Sequence, residues 1–311
     1  MKDDPSHKHS HGTEDVGDGV LMWTLVINLG LSVFEFIAGI IAGSMALMAD
    51  ALHNTNDAAA LLIAYIARKI SRRGADEKFT FGYRRAELIG AMIQLTALIV
   101  VGLYLVYEAV HRFFNPEPLL GRWIMAAAGL ALVVDVATAW LLWAMSKGSL
   151  NVKAAFVHNL TDAGASMAVL LGGAAIHWLD WTWVDPTLTL GIAGYILAMS
   201  LGMLRRTSAI LMEGTPPELS LEDLQTSVTA LDGVAGLHHL HVWELDENHR
   251  ALEAHIVTDP ALEDSPAARH QLRQRIKEHL AQEFNIPHST LELETVDRAC
   301  DDTEDLCGRA Y

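Results

Sequence analysis

Apolar residues along this chain gather into long blocks rather than short alternating runs. Six blocks can be drawn, at about 20–42, 45–67, 86–111, 122–145, 152–177 and 184–205. Each is near the roughly 20 residues a helix needs to cross a bilayer. Gly43 and Ser44 divide what would otherwise be one overlong segment. Pro116 and Pro118 fall in the third connection, and Asp185-Pro186 opens the sixth block. The first 18 residues are polar and are expected to be disordered, with no cleavable signal peptide.

From about residue 214 the pattern changes, with Pro216-Pro217 at the boundary. LEDLQTSVTAL predicts a helix, and LHHLHVWEL and ALEAHIVT alternate as strands do. SPAARHQLRQRIKEHLAQEF predicts a helix with a Ser-Pro start, and STLELETV another strand. The expected fold is an α-helical membrane protein, with six transmembrane helices followed by a small α-β-β-α-β domain. The expected divisions are a His-bearing tail at 1–18, a membrane domain at 19–208, an α+β domain at 209–296 and an acidic tail at 297–311.

Composition sharpens this picture. Of 311 residues, 51% are hydrophobic, and the formal net charge is -16. The acidic residues crowd both ends, which argues against nucleic acid as a partner, because a phosphate-binding surface needs a basic patch. Basic residues are asymmetric instead. Arg68, Lys69, Arg72, Arg73, Lys78 and Arg84 fill the second connection, Lys147 and Lys153 flank the fourth, and Arg205 and Arg206 close the sixth block. The opposite side has little beyond Arg112 and Arg122. Positive charge marks the cytoplasmic side, so both termini are expected in the cytoplasm. The two cysteines, Cys300 and Cys307, lie in the polar tail, where a disulfide, reduced thiols or a metal role all remain open.

Two spacings carry the chemistry. His53 and Asp57 lie four residues apart in the second block, and His158 and Asp162 repeat that spacing in the fifth. Residues four apart share one helix face. Ionisable groups in a bilayer are costly and are functional candidates by default. Two such pairs facing each other would supply two nitrogens and two oxygens, a set suited to tetrahedral Zn²⁺. Hydrogen-bonded helix packing is the plainer use of buried polar groups, but two carboxylates serve it poorly. Glu35, Asp50 and Asp135 are further acids in the blocks. Asp50 is expected to orient His53 or to meet another helix, Glu35 to bond a neighbouring helix, and Asp135 to relay protons or to pair structurally. No H-E-x-x-H motif occurs, and a closed quartet leaves no position for an activated water, so an enzyme is not expected.

The segments NLGLSVFEFIAGIIAGSMALMADALHNTND, FTFGYRRAELIGAMI, NVKAAFVHNLTDAGAS, WVDPTLTL, ILMEGTP, HHLHVW and IPHSTLELE, in this order, resemble the cation diffusion facilitator family over roughly residues 20 to 300. The bacterial zinc-exporting branch is most similar. The resemblance implies a homodimeric, proton-coupled zinc exporter of the inner membrane with a cytoplasmic metallochaperone-like domain. It implies transport ligands at His53, Asp57, His158 and Asp162. Histidine at the first of these favours zinc in the family, whereas aspartate there broadens selection. Zinc needs neutral imidazole and ionised carboxylate, so His53 and His158, with Asp135, are the expected proton carriers.

The resemblance also implies regulatory zinc in the C-terminal domain, for which His238, His255, Cys300 and Cys307 are the candidates. Strand alternation puts His239 and His241 on one face and His238 on the other, and His270, His288 and Glu294 are expected near His255. His7, His9 and His11 are expected to be solvated. Arg84 reads as an interfacial anchor, and Arg85 with Glu87 as either an anchor or an ion pair. A membrane-bound metal sensor that moves nothing is the alternative to transport.

Overall fold

The computed structural model describes residues 14–145, 150–262 and 265–298. His7, His9, His11, Cys300 and Cys307 lie outside the described residues. Six long helices come first, in register with the apolar blocks: α1 (Glu14–Ala42), α2 (Met45–Ser71), α3 (Ala86–Phe114), α4 (Gly121–Met145), α5 (Leu150–Leu179) and α6 (Val184–Leu211). Among the described residues, Ala86–Phe114, Gly121–Leu141, Phe156–Leu179 and Val184–Leu211 are long and apolar enough to cross a membrane. The described side chains of α1 begin late and give a shorter apolar stretch, Val26–Ala42. Helix α2 is diluted by His53, Asn54, Asn56 and Asp57.

The helices bury small residues and turn large apolar ones outward. Ala38, Ala42, Ala46, Ala127 and Ala128 are buried together with Leu47 and Ile124, while Phe34, Ile93, Trp140 and Leu171 are exposed. That inversion suits lipid, where close backbone approach replaces the hydrophobic drive between helices. Helices α4 and α5 make the most extensive pair. A Cβ on Gly173 of α5 would lie 2.8 Å from Ile124 Cγ2. One on Gly121 of α4 would lie 2.9 Å from the Gly173 carbonyl oxygen.

The remaining elements are α7 (Leu221–Thr229), β1 (Val234–Asp246), β2 (His249–Thr258), α8 (Pro266–Glu283) and β3 (His288–Thr295). This is the expected α-β-β-α-β order. Ser220 and Ser265 cap the two helices, accepting from the N–H groups of Asp223 and Ala268. Strand β2 is central, antiparallel to β1 and parallel to β3. Leu224 and Val228 of α7, and Leu272, Ile276 and Leu280 of α8, cover one face of the sheet. From the strands, Leu237, Leu240, Val242, Leu252, Ala254 and Ile256 complete this core.

The chain divides into two compact units that do not follow linear order. One comprises residues 1–63 with 93–202, and the other residues 64–92 with 203–311. The second thus joins the facing ends of α2 and α3, their connection and the end of α6 to the small sheet.

Candidate functional site

In the first unit, α2 and α5 bring their His/Asp pairs together. His158 Nε2 lies 3.1 Å from Asp57 Oδ2 and 3.5 Å from Asp162 Oδ2. His53 Nε2 lies 3.7 Å from the same Asp57 oxygen. The two imidazole rings stand 6.4 Å apart, edge to face, and Tyr195 of α6 presents its ring to His53 at the same separation. The His53 and Asp162 side chains are nearly enclosed, at 10% and 7% exposure, whereas that of His158 is 47% exposed. The quartet is therefore closed on one flank and open on another.

A second polar cluster adjoins it. Ser166 of α5 donates to Asp135 Oδ2 at 2.8 Å and to Asp50 Oδ2 at 3.5 Å. Asp50 thus meets α5 through Ser166. His53 lies a turn further along α2, and among the described contacts its Nδ1 has no hydrogen-bond partner. Glu35 of α1 is completely buried. Asn159, next to His158, accepts from Thr138 Oγ1 at 2.8 Å and from Asn28 Nδ2 at 3.3 Å, tying α1, α4 and α5 together. Spacing along the chain does not single out Ser166, Asn159 or Tyr195, because their contacts arise only across helices.

In the second unit, strand register assembles a smaller cluster. His238 pairs with His255 across β1 and β2, and Val257 lies beside Glu294 across β2 and β3. Ligand atoms of His238, His255 and Glu294 lie within 4.8 Å of one another. His255 Nδ1 is 2.8 Å from Glu294 Oε1, and His238 Nε2 is 3.3 Å from Glu294 Oε2. Two nitrogens and a carboxylate fit three of the four positions zinc prefers.

Simple alternation fails on β1. His238 pairs with His255 and His241 with Glu253, so His239 and Leu240 together oppose one residue, Ala254. This is a β-bulge, with His239 at φ 49°. The extra residue returns His241 to the face of His238, in place of the separation that alternation gives. His270 instead meets Arg273, and His288 meets the ring of Phe81.

The α2–α3 connection is ordered within this same unit. Asp76 accepts from the Tyr83 hydroxyl at 2.7 Å and from the N–H groups of Phe79 and Lys78. These bonds, the Tyr83 hydroxyl first, hold the Asp76 carboxyl below its usual range and push the Tyr83 phenol up. Arg85 pairs with Glu213 at 3.0 Å and Arg84 with Asp246 at 3.5 Å. Glu87 accepts from Ser71 Oγ instead of Arg85, because residues two apart do not face each other on a helix.

A model of the cation efflux transmembrane domain matches residues 21–212. A second model, for the cytoplasmic domain of cation efflux proteins, matches residues 216–296. The chain belongs to the cation diffusion facilitator family. Its relatives include Zinc transporter ZitB of Pectobacterium atrosepticum, 33% identical across 96% of this chain and 91% of that protein. The Cadmium, cobalt and zinc/H(+)-K(+) antiporter of Bacillus subtilis is 31% identical across 93% of this chain and 92% of its own. A solved metal-bound C-terminal domain of the CzcD transporter from Cupriavidus metallidurans is 29% identical, covering 24% of this chain and 99% of its own, with a TM-score of 0.22. Membership makes this a multi-pass membrane protein of a transporter family.

Proposed function

We propose that this chain exports Zn²⁺ from the cytoplasm in exchange for protons, as a homodimer in the inner membrane with both termini cytoplasmic. The observation that carries the reading is the convergence of His53 and Asp57 on α2 with His158 and Asp162 on α5. The donor set favours zinc, and Cd²⁺, Co²⁺ and Ni²⁺ compete at any such N/O site. Relatives named as a zinc transporter and as a cadmium, cobalt and zinc/H(+)-K(+) antiporter support the cargo and the proton as counter-ion.

The mechanism follows from the ligands. Zinc binding requires neutral imidazoles and ionised carboxylates, so loading displaces protons. When the site opens to the opposite side, protons taken up by His53, His158 or Asp135 favour release. His238, His255 and Glu294 hold regulatory zinc, with Cys300 and Cys307 as further candidate thiolates. Occupancy there shifts the chain toward the transporting conformation through differential affinity for two states. A membrane-bound metal sensor is the second reading, favoured by that cluster in the sheet.

Zinc flux into proteoliposomes under an imposed pH gradient tests this, with Asp162→Ala alongside wild type. Gradient-driven flux that vanishes in the variant is expected. Folded wild type without flux would favour the sensor, and flux surviving in the variant would move the transport site elsewhere.

A further inference from the structure

The turn between α1 and α2 is held by side chains from two other helices. Asp185, the second residue of α6, is 1% exposed. Its Oδ1 accepts from Ser44 Oγ at 2.5 Å and from Ala46 N–H at 3.3 Å, and its Oδ2 from Met45 N–H at 2.9 Å. Ser44 Oγ accepts from Leu47 N–H at 3.2 Å, and the Ser44 carbonyl from Met48 N–H at 3.3 Å. Ser44 N–H donates to the Gly39 carbonyl at 3.0 Å, so the four N–H groups that this helix start leaves without intrahelical partners, those of Ser44, Met45, Ala46 and Leu47, are all satisfied, two of them by α6.

The other side of the turn is equally fixed. Arg112 of α3 donates to the Gly43 carbonyl, and Leu120 N–H donates to the Ala42 carbonyl at 3.0 Å. Glu108 and Glu117 hold the Arg112 guanidinium, each at 3.0 Å. Gly43 has φ 72°, and a Cβ there would lie 2.7 Å from the Pro118 carbonyl oxygen.

Ser44 alone supplies an ordinary cap for α2. Burying a carboxylate beside it is costly, so capping alone does not account for Asp185. What Asp185 adds is a link between the start of α2 and another helix. That link sets both the height and the rotation of α2. Along a helix rising about 1.5 Å per residue, His53 lies roughly 12 Å beyond Met45 and Asp57 roughly 18 Å. Rotation by one residue, about 100°, turns both away from α5.

We propose that Asp185 is the positioning residue of the transport site, holding α2 so that His53 and Asp57 meet His158 and Asp162. This rests on the reading of those four residues as the transport ligands.

The test uses the full chain, with Asp185→Ala, Asp185→Asn and Ser44→Ala, and His53→Ala as the control for the site itself. Three readouts are taken: the half-saturating Zn²⁺ concentration for flux, the maximal flux, and hydrogen exchange of the amides of residues 45–50. In Asp185→Ala the half-saturating concentration is expected to rise about tenfold, the change that roughly 1.4 kcal/mol of lost ligand alignment produces, and residues 45–50 to exchange faster. Asp185→Asn, which keeps one acceptor oxygen, is expected to fall between it and wild type. Unchanged exchange at residues 45–50 overturns the proposal whatever the flux. Faster exchange with an unchanged half-saturating concentration also overturns it, assigning Asp185 to folding alone. If Asp185→Ala does not fold, Asp185→Asn and Ser44→Ala are judged by the same criteria. Wild-type flux in His53→Ala would instead refute the reading of the quartet, which the exchange data do not depend on.

Discussion

His158 Nε2 lies closer to Asp57 on α2, at 3.1 Å, than to Asp162 on its own helix, at 3.5 Å. The tighter contact therefore runs between helices. Asp57 Oδ2 also faces His53, so this one carboxylate joins the two imidazoles. Asp57→Asn keeps its shape and removes its charge. Zinc affinity is expected to fall by more than the roughly 10- to 100-fold loss typical of an outer partner. Titration of the purified chain measures this.

The same site predicts a pH dependence. The imidazoles must be neutral and the carboxylates ionised to bind metal. Apparent zinc affinity is therefore expected to fall as pH is lowered, because each ligand that holds a proton must release it on binding. Calorimetry in two buffers of different ionisation enthalpy should register protons released on zinc binding, and a binding heat independent of the buffer would contradict this.

The sheet cluster predicts a second, separable metal site. Glu294→Ala removes the carboxylate shared by His238 and His255. Metal bound per chain is expected to fall, while the quartet still fills. Retained stoichiometry in Glu294→Ala, counted by elemental analysis, would mean that this cluster does not hold metal.

The α2–α3 connection predicts a flat response across neutral pH. A depressed carboxyl contributes stability above its unfolded value, near 3.8, and loses it as pH falls through the lower folded value. The raised Tyr83 phenol contributes below its unfolded value, near 10, and loses it as pH rises through the folded one. Proteolysis of this loop is expected to be constant between about pH 5 and 9. Asp76→Ala should speed cleavage throughout that range.

Helix packing predicts a steric effect at Gly173. Its missing Cβ leaves room for Ile124 and the Met125 backbone. Gly173→Val forces α4 and α5 apart, at a cost of about 1–3 kcal/mol for overpacking. Thermal unfolding in detergent should show a lowered midpoint.

Much of this was legible in the sequence, and the reason is periodicity. Long apolar blocks map directly onto helices, and a spacing of four places His53 with Asp57 and His158 with Asp162 before any contact is known. What was illegible depends on partners far along the chain. Arg85 meets Glu213, 128 positions away, and no local pattern encodes that choice. Ser166 links Asp50 to Asp135 only because α2, α4 and α5 converge. Asp185 reads as a helix start, and its hold on α2 exists only in three dimensions. The strand histidines failed for a different reason: alternation assumes an unbroken strand.

The bulge at His239 and Leu240 acts as a phase shifter in β1. Upstream, the odd-numbered Leu237 faces the core, and downstream the even-numbered Leu240 and Val242 do. An uninterrupted strand with Leu240 and Val242 inward would carry His238 into the same core, against Leu224 and Ile276. One surplus residue lets a single strand keep its apolar face on both sides of the break while handing His238 to His255 and Glu294. Deleting that residue would leave the composition of β1 nearly unchanged and yet dismantle the cluster, because the cluster is encoded in the count of residues as much as in their kind.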